Sequence, residues 1–239
     1  MNTIKKALVV SAITLASVGA NAGVINGSTL LDDAGASQLE SWLGQGDLDW
    51  TSIWYGEEGV SPTSWHAAVD GVGPTVSIYQ ATNYLDEQIL VGGFTNADWS
   101  GSGYKNDADA FIFNLTTGEY QGVDNSTLAI NTGATEFATF GGGFDLYGGN
   151  LNLGLGDYTY SYAYDTTQGR IDIAGDTGTG KGSSGVDYGS FNVQALETFT
   201  FSMAVLPEVS LDASASVPVP ASVALLGLGL LGFARRKTK

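Results

Sequence analysis

Asp70-Gly-Val-Gly-Pro-Thr-Val-Ser-Ile-Tyr79 and, one turn later, Leu90-Val-Gly-Gly-Phe-Thr-Asn-Ala-Asp-Trp-Ser-Gly-Ser-Gly-Tyr-Lys-Asn-Asp-Ala-Asp-Ala-Phe-Ile-Phe-Asn-Leu115 decide how the chain folds. Both stretches are short β-branched and aromatic runs punctuated by Gly, Asn and Asp, which is strand-and-turn chemistry. Residues 75–81 and 88–94 read as a strand pair around a turn at 82–87, and 110–115 as an apolar strand between Asp-rich and Thr-Gly turns. Gly92-Gly93 inside a strand implies a bulge or a close approach of another group to the backbone. Trp99, Phe111 and Phe113 are expected in the core.

The strand signals continue outward from there. Residues 128–130 and 136–140 are short candidates, 158–164 alternates Tyr with small polar residues at period 2, and 191–203 is the longest run. Two short helices precede them. Asp33 can cap 34–43, with Leu39, Trp42 and Leu43 on one face and Gly44 as the stop. Ser61 with Pro62 opens 62–69, and Gly71 ends it. The fold class expected is mostly β with short helices. No repeat of fixed period is present.

Further matches in chain order extend the pattern: Trp65-His66, Phe140-Gly-Gly-Gly-Phe-Asp-Leu-Tyr147, and Phe191-Asn-Val-Gln-Ala-Leu-Glu-Thr-Phe199. With the two stretches above, residues 30–203 resemble the TLDc domain. That family has a Gly-x-Gly-Pro-Thr strand, a Gly-Gly-Tyr/Phe-Thr strand, a Phe-Gly-Gly-Gly-x-Asp-Leu stretch and a closing strand with an acidic residue two before an aromatic. The resemblance implies an antiparallel β-sandwich with short helices packed around it. Known members are mostly intracellular, so it carries the fold better than the role.

The two ends of the 239-residue chain read as addresses. Lys5 and Lys6, an uncharged apolar run at 7–18 and Ala20-Asn21-Ala22 form a signal peptide over 1–22, with cleavage by signal peptidase expected between Ala22 and Gly23. After a linker at 204–217, the tail 218–239 holds 14 uncharged residues (221–234) and then Arg235, Arg236, Lys237 and Lys239. At ~1.5 Å per residue the uncharged run spans about 21 Å, short of the ~30 Å hydrocarbon core. Cations at its end are held on the cytoplasmic side. Pro218-Val-Pro220, the Leu/Gly run and Arg235-Arg236 resemble the PEP-CTERM sorting signal, with Val219 in place of the name-giving Glu. That resemblance implies an exosortase-type processing enzyme and membrane association through a transmembrane segment before processing.

Between the addresses stand three basic residues (Lys105, Arg170, Lys181) and all 25 acidic ones, a net charge of −22. Such a body repels nucleic acid and anionic surfaces. Solubility is the plainest reading of the charge. The chain has no Cys, which excludes thiol catalysis and Cys-type zinc sites.

Little of the sequence points to chemistry. Gly175-Asp-Thr-Gly-Thr-Gly-Lys181 fits G-x-x-x-x-G-K but continues with Gly182 instead of Ser/Thr, and reads as a flexible surface loop. His66 is the single His, and no G-x-S-x-G elbow accompanies it. Asn106, Asp107 and Asp109 offer oxygen ligands for Ca²⁺, without a complete EF-hand loop; no other cofactor is implied. The expectation is therefore an exported, non-enzymatic envelope or matrix protein, with extracellular polysaccharide as a possible partner. The alternative is a carbohydrate-active hydrolase or sugar-binding protein with an acidic, aromatic cleft, to be recognised by Trp and Tyr clustered beside two carboxylates.

Overall fold

The computed structural model describes residues 23–154, 157–160, 162–164, 173–174, 180–181 and 187–205. The signal peptide with Ala22, most of the Gly175–Lys181 stretch, and the sorting residues Pro218, Pro220, Arg235 and Arg236 lie outside the described residues.

In chain order the elements are β1 (Ile25–Asn26), α1 (Asp33–Leu43), β2 (Leu48–Glu57), α2 (Pro62–Val69), β3 (Thr75–Asn83), β4 (Gln88–Thr95), β5 (Tyr104–Lys105), β6 (Phe111–Asn114), β7 (Glu119–Gly122), a 3₁₀ turn (Ser126–Leu128), β8 (Ile130–Asn131), β9 (Thr139–Phe140), β10 (Tyr158–Tyr160), β11 (Gly180–Lys181) and β12 (Asp187–Met203). The fold is mostly β with two short α-helices, as expected. The main sheet runs β1-β2-β12-β3-β4-β6-β7, with β10 and β11 also pairing β12, and β5-β8-β9 form a second, small sheet. One part of the expectation needs correction. The main sheet is mixed rather than antiparallel throughout, because β1 runs parallel to β2.

Both faces of the main sheet are buried. On one lie α1 and the cluster Leu39, Trp50, Val76, Ile78, Phe94, Phe113 and Phe199; on the other lie α2, the small sheet and Trp65, Tyr79, Val91, Trp99, Ile112, Phe140 and Leu196. Alternation along β3 makes this sorting visible, with Val76 and Ile78 on the α1 face and Tyr79 and Ala81 on the α2 face. Consecutive glycines in β4 serve one face each. A Cβ on Gly92 would strike the Ser77 carbonyl and the Phe113 ring, and one on Gly93 would lie 2.5 Å from the Phe140 ring. The β3–β4 register passes both without a bulge, so close approach is what the pair provides.

Helix α1 begins one residue earlier than the sequence reading had it. Asp32, not Asp33, is the N-cap, and its carboxylate accepts the Gly35 amide at 2.8 Å. Asp33 then lies in the first turn, where a negative charge favours the helix dipole. Gly44 ends the helix at φ 66°, left-handed as a C-cap glycine should be. Helix α2 occupies 62–69 as expected, with Pro62 in its first turn, but Ser61 makes no side-chain cap bond.

Strand β2 is absent from the sequence reading, although it is a central strand paired along β12. Among the described residues of the 158–164 run, Tyr158–Tyr160 form the strand and Tyr164 makes an isolated bridge to Val123. Gly180-Lys181 is not loop, because these residues pair with Tyr188 and Asp187 of β12. The closing strand is present, but one parity does not keep one face: Phe191 and Val193 lie on the α2 face and Phe199 and Phe201 on the α1 face, with register shifts at Val193/Ala195 and Thr198/Phe199 between them. Phe199 is fully buried, and partly buried Phe201 packs on Trp50 with centroids 5.0 Å apart. Ala204, the first linker residue, still donates its amide to Asp47 at 2.9 Å.

Candidate functional site

A groove of about 510 Å³ runs between the C-terminal end of α1 and the edge strand β7. Its floor is aromatic because three elements bring rings to the same place. Trp42 lies between Phe113 (5.8 Å, 35°) and Tyr120 (5.5 Å, 32°), and Phe111 meets Tyr120 edge-on at 5.8 Å. Tyr120 remains 54% exposed despite these contacts. Gln45, Asn96 and Asp109 supply the polar part of the lining. The alternative reading asked for Trp and Tyr beside two carboxylates. The groove has the rings and one carboxylate, Asp109.

Of the residues proposed as calcium ligands, Asp107 is engaged within the fold. Asp107 is buried, and its carboxylate accepts the Thr95 hydroxyl at 2.8 Å, the Asn96 amide at 2.6 Å and the Asp109 amide at 3.1 Å. These three bonds close the loop between β4 and β6. Asp109 is exposed and accepts the Asn96 side-chain amide at 3.4 Å, and Asn106 is exposed. Among the described residues no three His, Asp or Glu side chains come together as a metal site.

His66 is held by the fold on both ring nitrogens. Nδ1 lies 2.8 Å from Asp70 Oδ1, and Nε2 lies 3.1 Å from the carbonyl oxygens of Gly133 and Glu136. The carboxyl of Glu136 is raised in pKa by burial, against the opposing influence of His66.

Three other buried carboxylates were hidden among the 25. Glu197, on β12, collects the amides of Thr29 and Leu30 and the Ser52 hydroxyl. Asp145 accepts the successive amides of Tyr162, Ala163 and Tyr164 at 2.7–2.9 Å. That arrangement explains Gly141, where a Cβ would overlap the Asp145 carboxyl. Burial nevertheless raises the Asp145 pKa to about 6, its three amide donors pulling the other way. Asp157 accepts the Val193 amide at 2.8 Å, and its Oδ1 has no partner among the described residues. Burial first, and then the Glu58 charge, raise its pKa to about 7.

Residues 216–237 match the PEP-CTERM protein-sorting motif. The match contains Pro218, Pro220, Arg235 and Arg236, and implies sorting to the cell surface by an exosortase-type enzyme. No curated protein matches the chain. Among the described residues no helix is long and apolar enough to cross a membrane; the tail is not among them.

Proposed function

We propose that the chain is an envelope or extracellular-matrix protein whose non-catalytic, TLDc-like body is exported, held at the membrane by residues 218–239 and released or exchanged there by an exosortase-type enzyme. The sorting motif at 216–237 carries the reading. The acidic body before it and the basic cluster after it support the same topology, body outside and terminus inside. In favour of a TLDc-like body, the stretches that resemble that family fall on β3, β4, β6 and β12. In favour of a non-catalytic one, both nitrogens of the single His are engaged within the fold.

Replacing Arg235, Arg236 and Lys237 by neutral residues tests the sorting. Fractionation is expected to find the variant outside its normal surface location. Mass spectrometry of the wild-type surface protein is expected to find Gly23 first and Lys239 gone. A mature surface protein that retains Lys239 would overturn processing.

A second reading rests on the groove. Rings beside a single carboxylate favour binding of sugar over its hydrolysis, because glycosidic cleavage uses two carboxyl groups about 5–10 Å apart across the bond.

A further inference from the structure

We infer that the groove between α1 and β7 binds an uncharged polysaccharide, with Tyr120 as the stacking platform and Asn96 and Asp109 as the hydrogen-bonding pair. The inference deepens the sugar-binding reading and depends on it.

A pyranose ring presents a face of C–H bonds and a rim of hydroxyls. A site for it needs a rigid, exposed aromatic surface and fixed polar groups at the edge. Tyr120 meets the first need. Trp42 and Phe111 pack against it at 5.5 and 5.8 Å, so little side-chain entropy remains to be lost on binding, yet 54% of the residue is open to solvent. The volume of about 510 Å³ falls within the usual range for ligand clefts, about 300–1,000 Å³.

Asp107 supplies the second. This buried carboxylate binds the backbone amides of Asn96 and Asp109 together, so the two side chains leave a loop fixed from beneath and meet at 3.4 Å. An amide donor next to a carboxylate acceptor suits neighbouring hydroxyls, each of which donates and accepts. Asp107 acts here as a positioning residue.

Charge selects among polysaccharides. The lining contains Asp109 and no Lys or Arg, and the exported body carries a net −22. Uronate or sulfate groups entering the groove would meet like charge without a cation to balance it. An uncharged glycan meets no such penalty.

The test is affinity electrophoresis of the full chain in mild detergent. The gels contain β-1,3-glucan, hydroxyethyl cellulose, dextran or glucomannan as neutral probes, and alginate or polygalacturonate as anionic ones. The expected result is retardation by at least one neutral polymer and by neither anionic one. Tyr120→Ala is expected to weaken that binding about tenfold or more while the melting temperature stays near the parent's, and Tyr120→Phe to restore it to within about threefold. Asn96→Ala is expected to weaken it as well. Retardation by anionic gels alone would overturn the uncharged assignment and leave sugar binding standing. Retardation by no gel would overturn both. Undiminished binding by Tyr120→Ala would put the site elsewhere and overturn the groove.

Discussion

The Glu197 carboxylate accepts the Leu30 amide at 2.7 Å, joining the closing strand to a loop 167 positions earlier in the chain. The same group takes the Thr29 amide at 3.0 Å and the Ser52 hydroxyl at 2.6 Å, and it is fully buried. It thus pins the segment between β1 and α1 onto the middle of the sheet. Glu197→Ala leaves two amides without an acceptor and is expected to cost about 3 kcal/mol or more. Glu197→Gln keeps the shape and one acceptor oxygen, and is expected to cost about half as much. Urea unfolding measures both. An alanine variant within about 0.5 kcal/mol of the parent would show that the tether contributes nothing.

The paired glycines of β4 give a graded prediction. In Gly92→Ala the new methyl meets the Ser77 carbonyl of the neighbouring strand, backbone that moves only with the sheet. In Gly93→Ala it meets the Phe140 ring, which can tilt. Overpacking of this kind costs about 1–3 kcal/mol, and Gly92→Ala is expected to be the worse of the two. Gly122→Ala on the edge strand meets nothing within 4 Å and is expected to be neutral or slightly stabilising. If all three variants melt together, the close packing against β4 is wrong.

These two cases also show what a reader of the sequence can and cannot see. Gly92-Gly93 signals close approach by composition alone, and Pro62 and Gly44 mark helix ends through backbone chemistry that is local. Strand β2 was missed because Leu48-Asp-Trp-Thr-Ser-Ile-Trp-Tyr-Gly-Glu57 mixes polar and apolar residues on both parities. Its register against β12 shifts between Thr198 and Phe199, which changes the face that each parity presents. The groove was illegible for a different reason. Trp42, Asn96, Asp109 and Tyr120 come from four separate segments, and only the sheet order brings them together. Asp107 looked like a metal ligand because a carboxylate that caps loop amides and one that binds calcium have the same local sequence. In the structure it accepts the amides of Asn96 and Asp109.

The loop carboxylate makes its own prediction. Asp107→Ala removes the acceptor for Asn96, Asp109 and the Thr95 hydroxyl, and is expected to destabilise the fold by about 2 kcal/mol or more. Asp107→Asn keeps one acceptor oxygen and is expected to fall between it and the parent. Calcium in millimolar excess is expected to leave the parent's melting temperature unchanged, because three hydrogen bonds already engage the Asp107 carboxylate. A calcium-dependent rise that Asp107→Asn abolishes would restore the metal reading.

Asp145 and Asp157 set the sign of the response to pH. Burial lifts the first to about 6 and the second to about 7, from an ordinary value of 3.8. A raised carboxyl pKa means that the folded chain holds its proton more tightly than the unfolded one. Between the two values the native state binds more protons, so stability falls as pH rises. The contribution is complete below about pH 4 and is lost as pH rises through about 6 and 7. Asp98 works in the opposite direction but at lower pH. The Ser100 hydroxyl first, then the Ser100 amide and Lys105, lower it to about 2, so its contribution disappears only under stronger acid. The chain is therefore expected to be most stable in mildly acidic solution and to lose stability from pH 5 to pH 8. Asp157 gives the cleaner test, because among the described residues its Oδ1 has no partner, and its bond from the Val193 amide is available to an amide oxygen as well. Asp157→Asn cannot titrate, and its unfolding free energy at fixed ionic strength is expected to vary less steeply over that range than the parent's. Equal slopes for parent and variant would mean that Asp157 is ionised throughout, and that general repulsion among the acidic residues accounts for the whole trend.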